Sequence, residues 1–243
     1  TAWYPILEAG GNPTYAGWNT NTLTLSVVPS SQNDNLFRCI VGSTPCDNII
    51  SEEAVLQVSN IDVTPSVNDV ICKGSLTGII NAQIKNGIGN YTVILKKQGE
   101  TKSSFLYDIT NIAEFTGLDS GIYSLEVIDE ALCSRVVDSI EVLEPKIALT
   151  SQIIDSKNPM CFGSTDGSIT VHAQDGWEHF TYKINGVDHG TSWLFDNLGA
   201  GTYSINVTDL KGCSETIEQT LTQPTKLILS KKSSVDPKCF GQN

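Results

Sequence analysis

The sequence has 243 residues and a mass of 26.2 kDa, which suits about two domains of ordinary size or three small ones. It carries 15 Lys and Arg against 27 Asp and Glu, a formal net charge of −12, and a surface of that sign repels nucleic-acid backbones. No apolar run approaches the roughly 20 residues of a membrane helix. We therefore expect no nucleic-acid partner and no membrane insertion.

The composition favours strands over helices. Only 17% of the residues are charged, while the chain contains 20 Gly and 9 Pro beside many β-branched residues, a mixture typical of short strands and tight turns. The chain starts without Met and shows no signal peptide. We therefore expect an all-β segment of a longer or processed protein.

Residues 1–59 follow a pattern of their own. Strand-like runs occur at Thr22–Leu25, Asn35–Val41 and Ala54–Val58. Phe37 stands two residues before Cys39, an arrangement that resembles strand F of immunoglobulin-like domains, and Trp3 would be the tryptophan of strand C. We predict a truncated immunoglobulin-like β-sandwich that keeps its C-terminal strands. A Cys39–Cys46 disulfide across the last hairpin is preferred over a bond from Cys39 to a cysteine in a missing strand.

An internal repeat organises the rest of the chain. Each copy opens with Cys-x-Gly, continues through Gly-x-Tyr and Asp before a second Cys, and closes with Pro. The opening motifs are Cys72–Gly74, Cys161–Gly163 and Cys239–Gly241; the later positions are Tyr123 and Tyr203, Asp129 and Asp209, Cys133 and Cys213, and Pro145 and Pro224. These positions predict one repeat at 60–145, a second at 146–224, and the start of a third at 225–243.

Each repeat is predicted to be a small β-sandwich. Tyr123–Val127 and Tyr203–Val207 alternate apolar and polar residues, the period of a half-buried strand. The first copy holds about nine extra residues near Lys96–Leu106, where the second has Asn185-Gly186, a strong hairpin signal. An insertion at a hairpin tip is readily tolerated.

The repeat also suggests how the seven cysteines pair. We predict the disulfides Cys72–Cys133 and Cys161–Cys213, one in each copy, with buried free thiols as the alternative. Cys239 opens the third copy and is predicted to be unpaired because its partner would lie beyond Asn243. Disulfides on this scale favour an oxidising compartment.

The composite pattern resembles the SprB-type repeat of the cell-surface adhesins of gliding Bacteroidetes. That resemblance implies tandem immunoglobulin-like and SprB-repeat β-sandwiches arranged as an extended array. It also implies type IX secretion, display on the outer membrane, adhesion during gliding, and contacts with neighbouring repeats and with the secretion and motility machinery. The surface or polysaccharide ligand is not specified. It implies no catalytic residues.

The sequence also allows other interpretations of the function of the chain and of particular residues. The fragment could instead be a glycan-binding or accessory module of a secreted hydrolase, with Trp177 as its contact residue, or a filament-forming repeat. Asp138–Ile140 matches a short O-glycosylation motif centred on Ser139. Asp129 and Asp209 are candidates for calcium, although Asp is also a common turn former. No nucleophile elbow, phosphate loop or zinc motif occurs, so we predict no enzyme and no cofactor.

Overall fold

A computed structural model describes residues 6, 13–42 and 47–233 of the chain. The regular elements of these residues are strands, apart from one 3-10 turn at Ser30–Gln32, which confirms the all-β prediction. Backbone contacts divide the chain into two compact units. Unit 1 comprises Thr1–Val70 and Leu76–Leu143, and unit 2 comprises Ile71–Ser75 and Glu144–Asn243. The predicted boundaries near residues 59, 145 and 224 stay predictions.

The N-terminal part of unit 1 forms three small antiparallel sheets. They pair β1 with β2, β3 with β6, and β4 with β5; the strands are β1 (Thr14–Ala16), β2 (Thr24–Ser26), β3 (Leu36–Phe37), β4 (Ile40–Val41), β5 (Ile49–Ile50) and β6 (Ala54–Val55). The ring of Phe37 lies 6.4 Å from that of Tyr15, between centroids. Trp3 and Cys46 lie outside the described residues. The truncated immunoglobulin-like domain therefore stays a prediction.

The rest of unit 1 is a seven-stranded antiparallel sandwich. One sheet has the order β11-β8-β7 and the other the order β10-β9-β12-β13. The strands are β7 (Asp62–Asn68), β8 (Gly78–Lys85), β9 (Tyr91–Lys97), β10 (Ser103–Ile109), β11 (Ile112–Leu118), β12 (Gly121–Asp129) and β13 (Ser134–Val142).

Unit 2 repeats this connectivity strand for strand. Its sheets have the orders β14-β15-β18 and β17-β16-β19-β20. The strands are β14 (Thr150–Lys157), β15 (Gly167–Gln174), β16 (Thr181–Ile184), β17 (Val187–Asp188), β18 (Leu194–Leu198), β19 (Gly201–Thr208) and β20 (Ser214–Leu221). The sequence repeat is thus a repeat of one sandwich topology, so the tandem β-sandwich prediction is confirmed.

Each sandwich encloses its own core. Both sheets contribute buried apolar residues, which alternate with outward-facing ones as a strand requires. In the first sandwich these include Ile80, Ile84, Val93, Leu125 and Val127, and in the second Ile169, Val171, Phe195, Ile205 and Val207. Phe115 lies opposite Ile80 in the first sheet and Phe195 opposite Ile169 in its counterpart. Equivalent strands therefore bury equivalent side chains.

Two glycines allow the close approach of strands at equivalent places. A Cβ atom at Gly78 would lie 2.8 Å from the carbonyl oxygen of Leu118, and one at Gly167 would lie 2.8 Å from that of Leu198. Such distances exclude any side chain without movement of the backbone. The glycine that recurs four residues after each Cys-x-Gly motif is thus a packing requirement.

The extra residues of the first copy lengthen one hairpin. Strands β9 and β10 extend it over Tyr91–Ile109, whereas β16 and β17 are joined directly by Asn185-Gly186, both with positive φ (48° and 82°). Those angles fit the two-residue turn expected for Asn-Gly. The insertion lies where the sequence predicts it, since the remaining strands keep their pairing.

The tyrosine of each Gly-x-Tyr motif makes a hydrogen-bonded corner that the sequence patterns did not predict. The hydroxyl of Tyr123 donates to the carbonyl oxygen of Asp119 and that of Tyr203 to the carbonyl oxygen of Gly199, both at 3.0 Å. This is the tyrosine corner of immunoglobulin-like sandwiches, at the start of a strand just after the sheet-to-sheet connection. In the sequence, the recurring Leu-x-x-Gly-x-Tyr spacing is the signal for this corner.

Candidate functional site

One disulfide joins two distant parts of the sequence within unit 2. Cys72 and Cys213 are bonded across 141 residues, with their Cα atoms 5.1 Å apart. Cys213 is buried and Cys72 is half-buried. Cys72 belongs to Ile71–Ser75, which lies between β7 and β8 in sequence but is grouped with unit 2. The bond therefore links the two sequence repeats covalently.

Cys72 is presented by a tight turn, which we call the Cys-x-Gly turn (residues 72–75, and 161–164 in the second copy). Ser75 closes it: its N–H donates to the Cys72 carbonyl at 3.0 Å, and its hydroxyl accepts from the Cys72 N–H at 3.3 Å. Gly74 has a φ of +75°, which favours glycine, and its N–H donates to Glu144 Oε2 at 2.8 Å. Lys73 Nζ lies 3.5 Å from Glu144 Oε1. The turn is thus fixed to the start of the segment that follows β13.

Cys213 is held by a second device, the Asp–Cys loop (residues 209–213, and 129–133 in the first copy). The buried carboxylate of Asp209 accepts three backbone N–H groups, from Cys213 at 2.9 Å, Lys211 at 3.1 Å and Trp177 at 2.9 Å. A buried carboxylate needs such donors because it has left water. These three hydrogen bonds therefore fix the loop that carries Cys213.

The same loop occurs in unit 1. Asp129 is 3% exposed, and its carboxylate accepts from the N–H groups of Cys133 at 2.9 Å and Ile88 at 3.0 Å. Burial raises the pKa of Asp129, but the hydrogen bonds to its charged form outweigh burial and hold the pKa below its usual value. Asp129 and Asp209 thus close turns, and their oxygens are already engaged by backbone donors.

Trp177 lies in this same cluster. Its indole N–H donates to the carbonyl oxygen of Ile71 at 2.9 Å, and Lys211 Nζ lies 5.0 Å from its ring centroid, within cation–π range. The ring is half-buried. These contacts favour a role in holding the Ile71–Ser75 segment over the glycan contact predicted for Trp177. Trp193 is 54% exposed, whereas Phe195, two residues further along the chain, is buried.

The predicted cysteine pairing is wrong in its connectivity. Cys72 and Cys213 are both bonded, but to each other, and Cys133 and Cys161 are exposed free thiols. Cys39 is also an exposed free cysteine. Its predicted partner Cys46, like Cys239, lies outside the described residues.

The physical reason is that the two cysteines of a repeat lie at opposite ends of the sandwich. In unit 2, Gly163 N–H donates to Gln223 Oε1 at 2.6 Å, so the Cys161 turn lies beyond the end of β20. Cys213 immediately precedes the start of that strand, which has eight residues. At about 3.4 Å per residue the strand separates them by about 27 Å. A disulfide needs Cα atoms within about 7 Å.

Ser139 lies at an exposed irregularity of β13. The pairing with β12 shifts by one residue between Tyr123 and Leu125, and Ser139 has a φ of +60°. This is a β-bulge. Its exposed hydroxyl is sterically open to modification, and the O-glycosylation of Ser139 stays a prediction.

Some further features of the described residues bear on ligand binding. Within 13–42 and 47–233, no group of three or more His, Cys, Asp or Glu side chains is placed to hold a metal ion. In the same ranges no helix has the length and apolar character needed to cross a bilayer. A polar cleft of about 340 Å³ in unit 1 is lined by Asn33, Asp34, Asn60, Asn86 and Gly89, among others.

Asp209→Asn should destabilise unit 2 by about 1–3 kcal/mol. An amide has one acceptor oxygen, so at least one of the three N–H groups now bonded to the carboxylate loses its partner while buried. Denaturant unfolding would measure the change. Asp155→Asn is the matched control, because this carboxylate is exposed on β14, and it should change stability by less than about 0.5 kcal/mol. Equal effects of the two variants would contradict the role given to Asp209.

Unit 1 should lose stability in acid. Asp129 has a lowered pKa, and hydrogen bonds from Lys97 and Tyr123 also lower the pKa of Asp119. A carboxyl group with a lower pKa in the folded state contributes its full stabilisation above its unfolded pKa of about 3.9. It loses that contribution as the pH falls through the folded value. The thermal midpoint of unit 1 should therefore decrease as the pH is lowered below about 4.

Two variants make this pH dependence specific. Asp129→Asn should flatten the dependence of the unit 1 midpoint on pH, because it removes one of the linked protons. Asp62→Asn, at an exposed position of β7, should leave the slope as in the unchanged chain. An unchanged slope in Asp129→Asn would show that this carboxylate does not carry the effect.

Comparisons with known proteins identify part of the chain. The sequence model of the SprB repeat matches residues 153–189. No curated protein matches the chain in sequence. The C-terminal 282-residue fragment of intimin, solved in complex with the intimin-binding domain of the translocated intimin receptor, aligns with a TM-score of 0.43 and 17% identity. The alignment covers 67% of this chain and 64% of that fragment.

Two other solved structures align at lower TM-scores. The fibronectin(III)-like modules of Clostridium thermocellum CbhA give a TM-score of 0.37 at 12% identity, covering 66% of this chain and 95% of theirs. The three N-terminal domains of the bacteriophage RB49 Hoc protein give 0.37 at 13% identity, covering 67% and 59%. The family match lies within the second of the two sandwiches, from β14 to β17. Unit 2 therefore carries a SprB repeat, at residues 153–189, in agreement with the resemblance seen in the sequence.

Proposed function

We propose that this chain is a non-catalytic stalk segment of a large secreted cell-surface adhesin that serves surface attachment in gliding motility. The observation that carries the proposal is the SprB repeat at residues 153–189, which lies in the second of two sandwiches of one topology. SprB repeats come from surface adhesins, and a disulfide suits an oxidising, extracellular location. Export by the type IX system and display on the outer membrane belong to the same proposal.

The covalent connectivity supports a mechanical role. When the chain is pulled from its ends, tension passes from Cys72 through the disulfide to Cys213 and bypasses the residues between them. Those residues include β8–β19 and so most of both cores. The bond therefore keeps β8–β19 out of the line of force, while β7 and β20 stay in it. Such a limit on extension suits a stalk under the drag of a moving cell.

Single-molecule pulling on the whole chain tests this role. Under oxidising conditions the fully extended chain should be shorter than the reduced chain by about 500 Å. The figure follows from the sequence separation of 141 between the bonded cysteines at about 3.5 Å per residue. Cys161→Ser, which removes an exposed free thiol in the equivalent turn, should extend like the unchanged protein. Equal extensions with and without reductant would refute the mechanical role of the disulfide.

A further inference from the structure

The two free cysteines of the repeats have the same local geometry as the two bonded ones. In the Cys161 turn, Ser164 N–H donates to the Cys161 carbonyl at 3.1 Å and its hydroxyl accepts from the Cys161 N–H at 3.2 Å. The corresponding distances in the Cys72 turn are 3.0 and 3.3 Å. Gly163 has a φ of +78°, against +75° for Gly74. Cys161 is thus presented as Cys72 is.

The loop of Cys133 likewise matches that of Cys213. In both, the cysteine N–H donates to an Asp Oδ1 at 2.9 Å. The cysteine carbonyl accepts from the N–H of that Asp at 3.0 Å for Asp129 and 2.9 Å for Asp209. The bonded pair thus has one member of each kind, a turn cysteine and a loop cysteine, and so does the free pair.

The surroundings of Cys161 suit a protein partner. Met160 is 75% exposed and Phe162 is 52% exposed, on either side of the thiol. Ile71 precedes Cys72 as Met160 precedes Cys161. It is 37% exposed, and its carbonyl oxygen accepts a hydrogen bond from the indole N–H of Trp177. Ile71, beside the bonded cysteine, is thus less exposed than Met160, beside the free one.

We propose that Cys161 and Cys133 each form a disulfide with another repeat of this type. In each of these bonds a turn cysteine of one repeat is joined to a loop cysteine of another. Cys161 bonds the loop cysteine of a following repeat. Residues 1–59 precede the first repeat and are predicted to be an immunoglobulin-like domain, so Cys133 bonds the turn cysteine of a repeat in another copy of the chain. The turn and loop cysteines of a repeat lie at opposite ends of its sandwich. A repeat that has bonded through one cysteine therefore still has the other available, so the linkage can continue from repeat to repeat. Each bond joins two thiols, which lose two protons and two electrons; a small-molecule disulfide takes these up and becomes two thiols.

With this linkage, disulfides like Cys72–Cys213 would join each repeat to the next along the array. Cys161 lies between Cys72 and Cys213 in sequence, so the loops closed by successive disulfides would overlap. The inference concerns which thiols pair and does not depend on adhesion or on gliding. Its failure would leave the Cys72–Cys213 bond and the pulling experiment untouched.

Two variants of the whole chain test the proposal. Both carry Ser in place of Cys39, Cys46 and Cys239; one adds Cys161→Ser and the other Cys133→Ser. Each is incubated at high concentration with glutathione disulfide. Each variant alone should stay monomeric, and an equal mixture should give a covalent dimer and no longer species. Peptide mapping should find Cys133 of one variant bonded to Cys161 of the other, with Cys72–Cys213 intact.

The other outcomes overturn the proposal. Dimers of either variant alone would show symmetric pairing of like cysteines. No dimer in the mixture, with Cys72–Cys213 intact in both variants, would show that turn and loop do not recognise each other. A chain in which residues 146–224 are duplicated in tandem provides a second measurement. The first Cys161 should bond to the cysteine of the inserted copy that corresponds to Cys213, and a bond within either copy would refute the inference.

Discussion

Replacing Cys72 and Cys213 together by Ser should lower the free energy of unfolding by up to about 5 kcal/mol. The bond closes a loop of 141 residues, and the chain-entropy relation assigns a loop of that size about 5 kcal/mol at 25 °C. The loss should fall mainly on unit 2, because Cys213 is buried there and Ile71–Ser75 is grouped with it. Thermal and denaturant unfolding of the oxidised proteins would measure it.

The free cysteine of the equivalent turn provides a control for this prediction. Cys161→Ser alters an exposed thiol in a turn of the same geometry and should change stability by less than about 0.5 kcal/mol. Thiol labelling provides a second readout. Cys72→Ser alone should make Cys213 reactive after unfolding without reductant, whereas in the unchanged chain Cys213 should stay unlabelled. Similar losses of stability in Cys161→Ser and in the double variant would contradict the assignment.

Phe195→Ala should cost about 3–5 kcal/mol, and only in unit 2. Phe195 is 1% exposed and belongs to one buried cluster with Ile169, Ile205 and Val207, so truncation leaves a cavity in that core. The first sandwich has a separate core. Its unfolding transition should therefore keep its midpoint, which differential scanning calorimetry would show directly.

Two further variants bound this prediction. Leu194→Ala, at the neighbouring position with 45% exposure, should cost less than about 1 kcal/mol. Ile80→Ala, buried in the first sandwich, should move the other transition by about 2–5 kcal/mol. If Phe195→Ala lowered both transitions equally, the sandwiches would not be independent folding units.

The cluster around Asp209 holds the covalent link of unit 2 in place. Three backbone donors fix the carboxylate, the carboxylate fixes the loop, and the loop presents Cys213 to the incoming turn. Trp177 adds a hydrogen bond to the same turn through Ile71. Preorganising both halves reduces the entropy lost when the thiols meet. This arrangement explains why Asp precedes each second cysteine at a constant spacing.

The amino-acid sequence by itself determined the all-β class, the two repeats and the place of the insertion. These features follow from local patterns: strand alternation in Tyr203–Val207, the Asn185-Gly186 turn, and the recurring glycines at 78 and 167. The resemblance to SprB repeats rested on the same recurring positions, and the family match at residues 153–189 confirms it there.

Only the tertiary structure decided which cysteines meet. The repeat shows that Cys72 is equivalent to Cys161 and Cys133 to Cys213, but pairing within a copy and pairing across copies satisfy that equivalence equally well. The choice depends on which end of a sandwich each loop occupies, and a strand of eight or nine residues holds the two cysteines of a copy too far apart to bond. The contacts of Trp177 also needed the tertiary structure, since Lys211 and Ile71, which contact its ring and its indole N–H, are distant in sequence. The glycan contact at Trp177 stays a prediction.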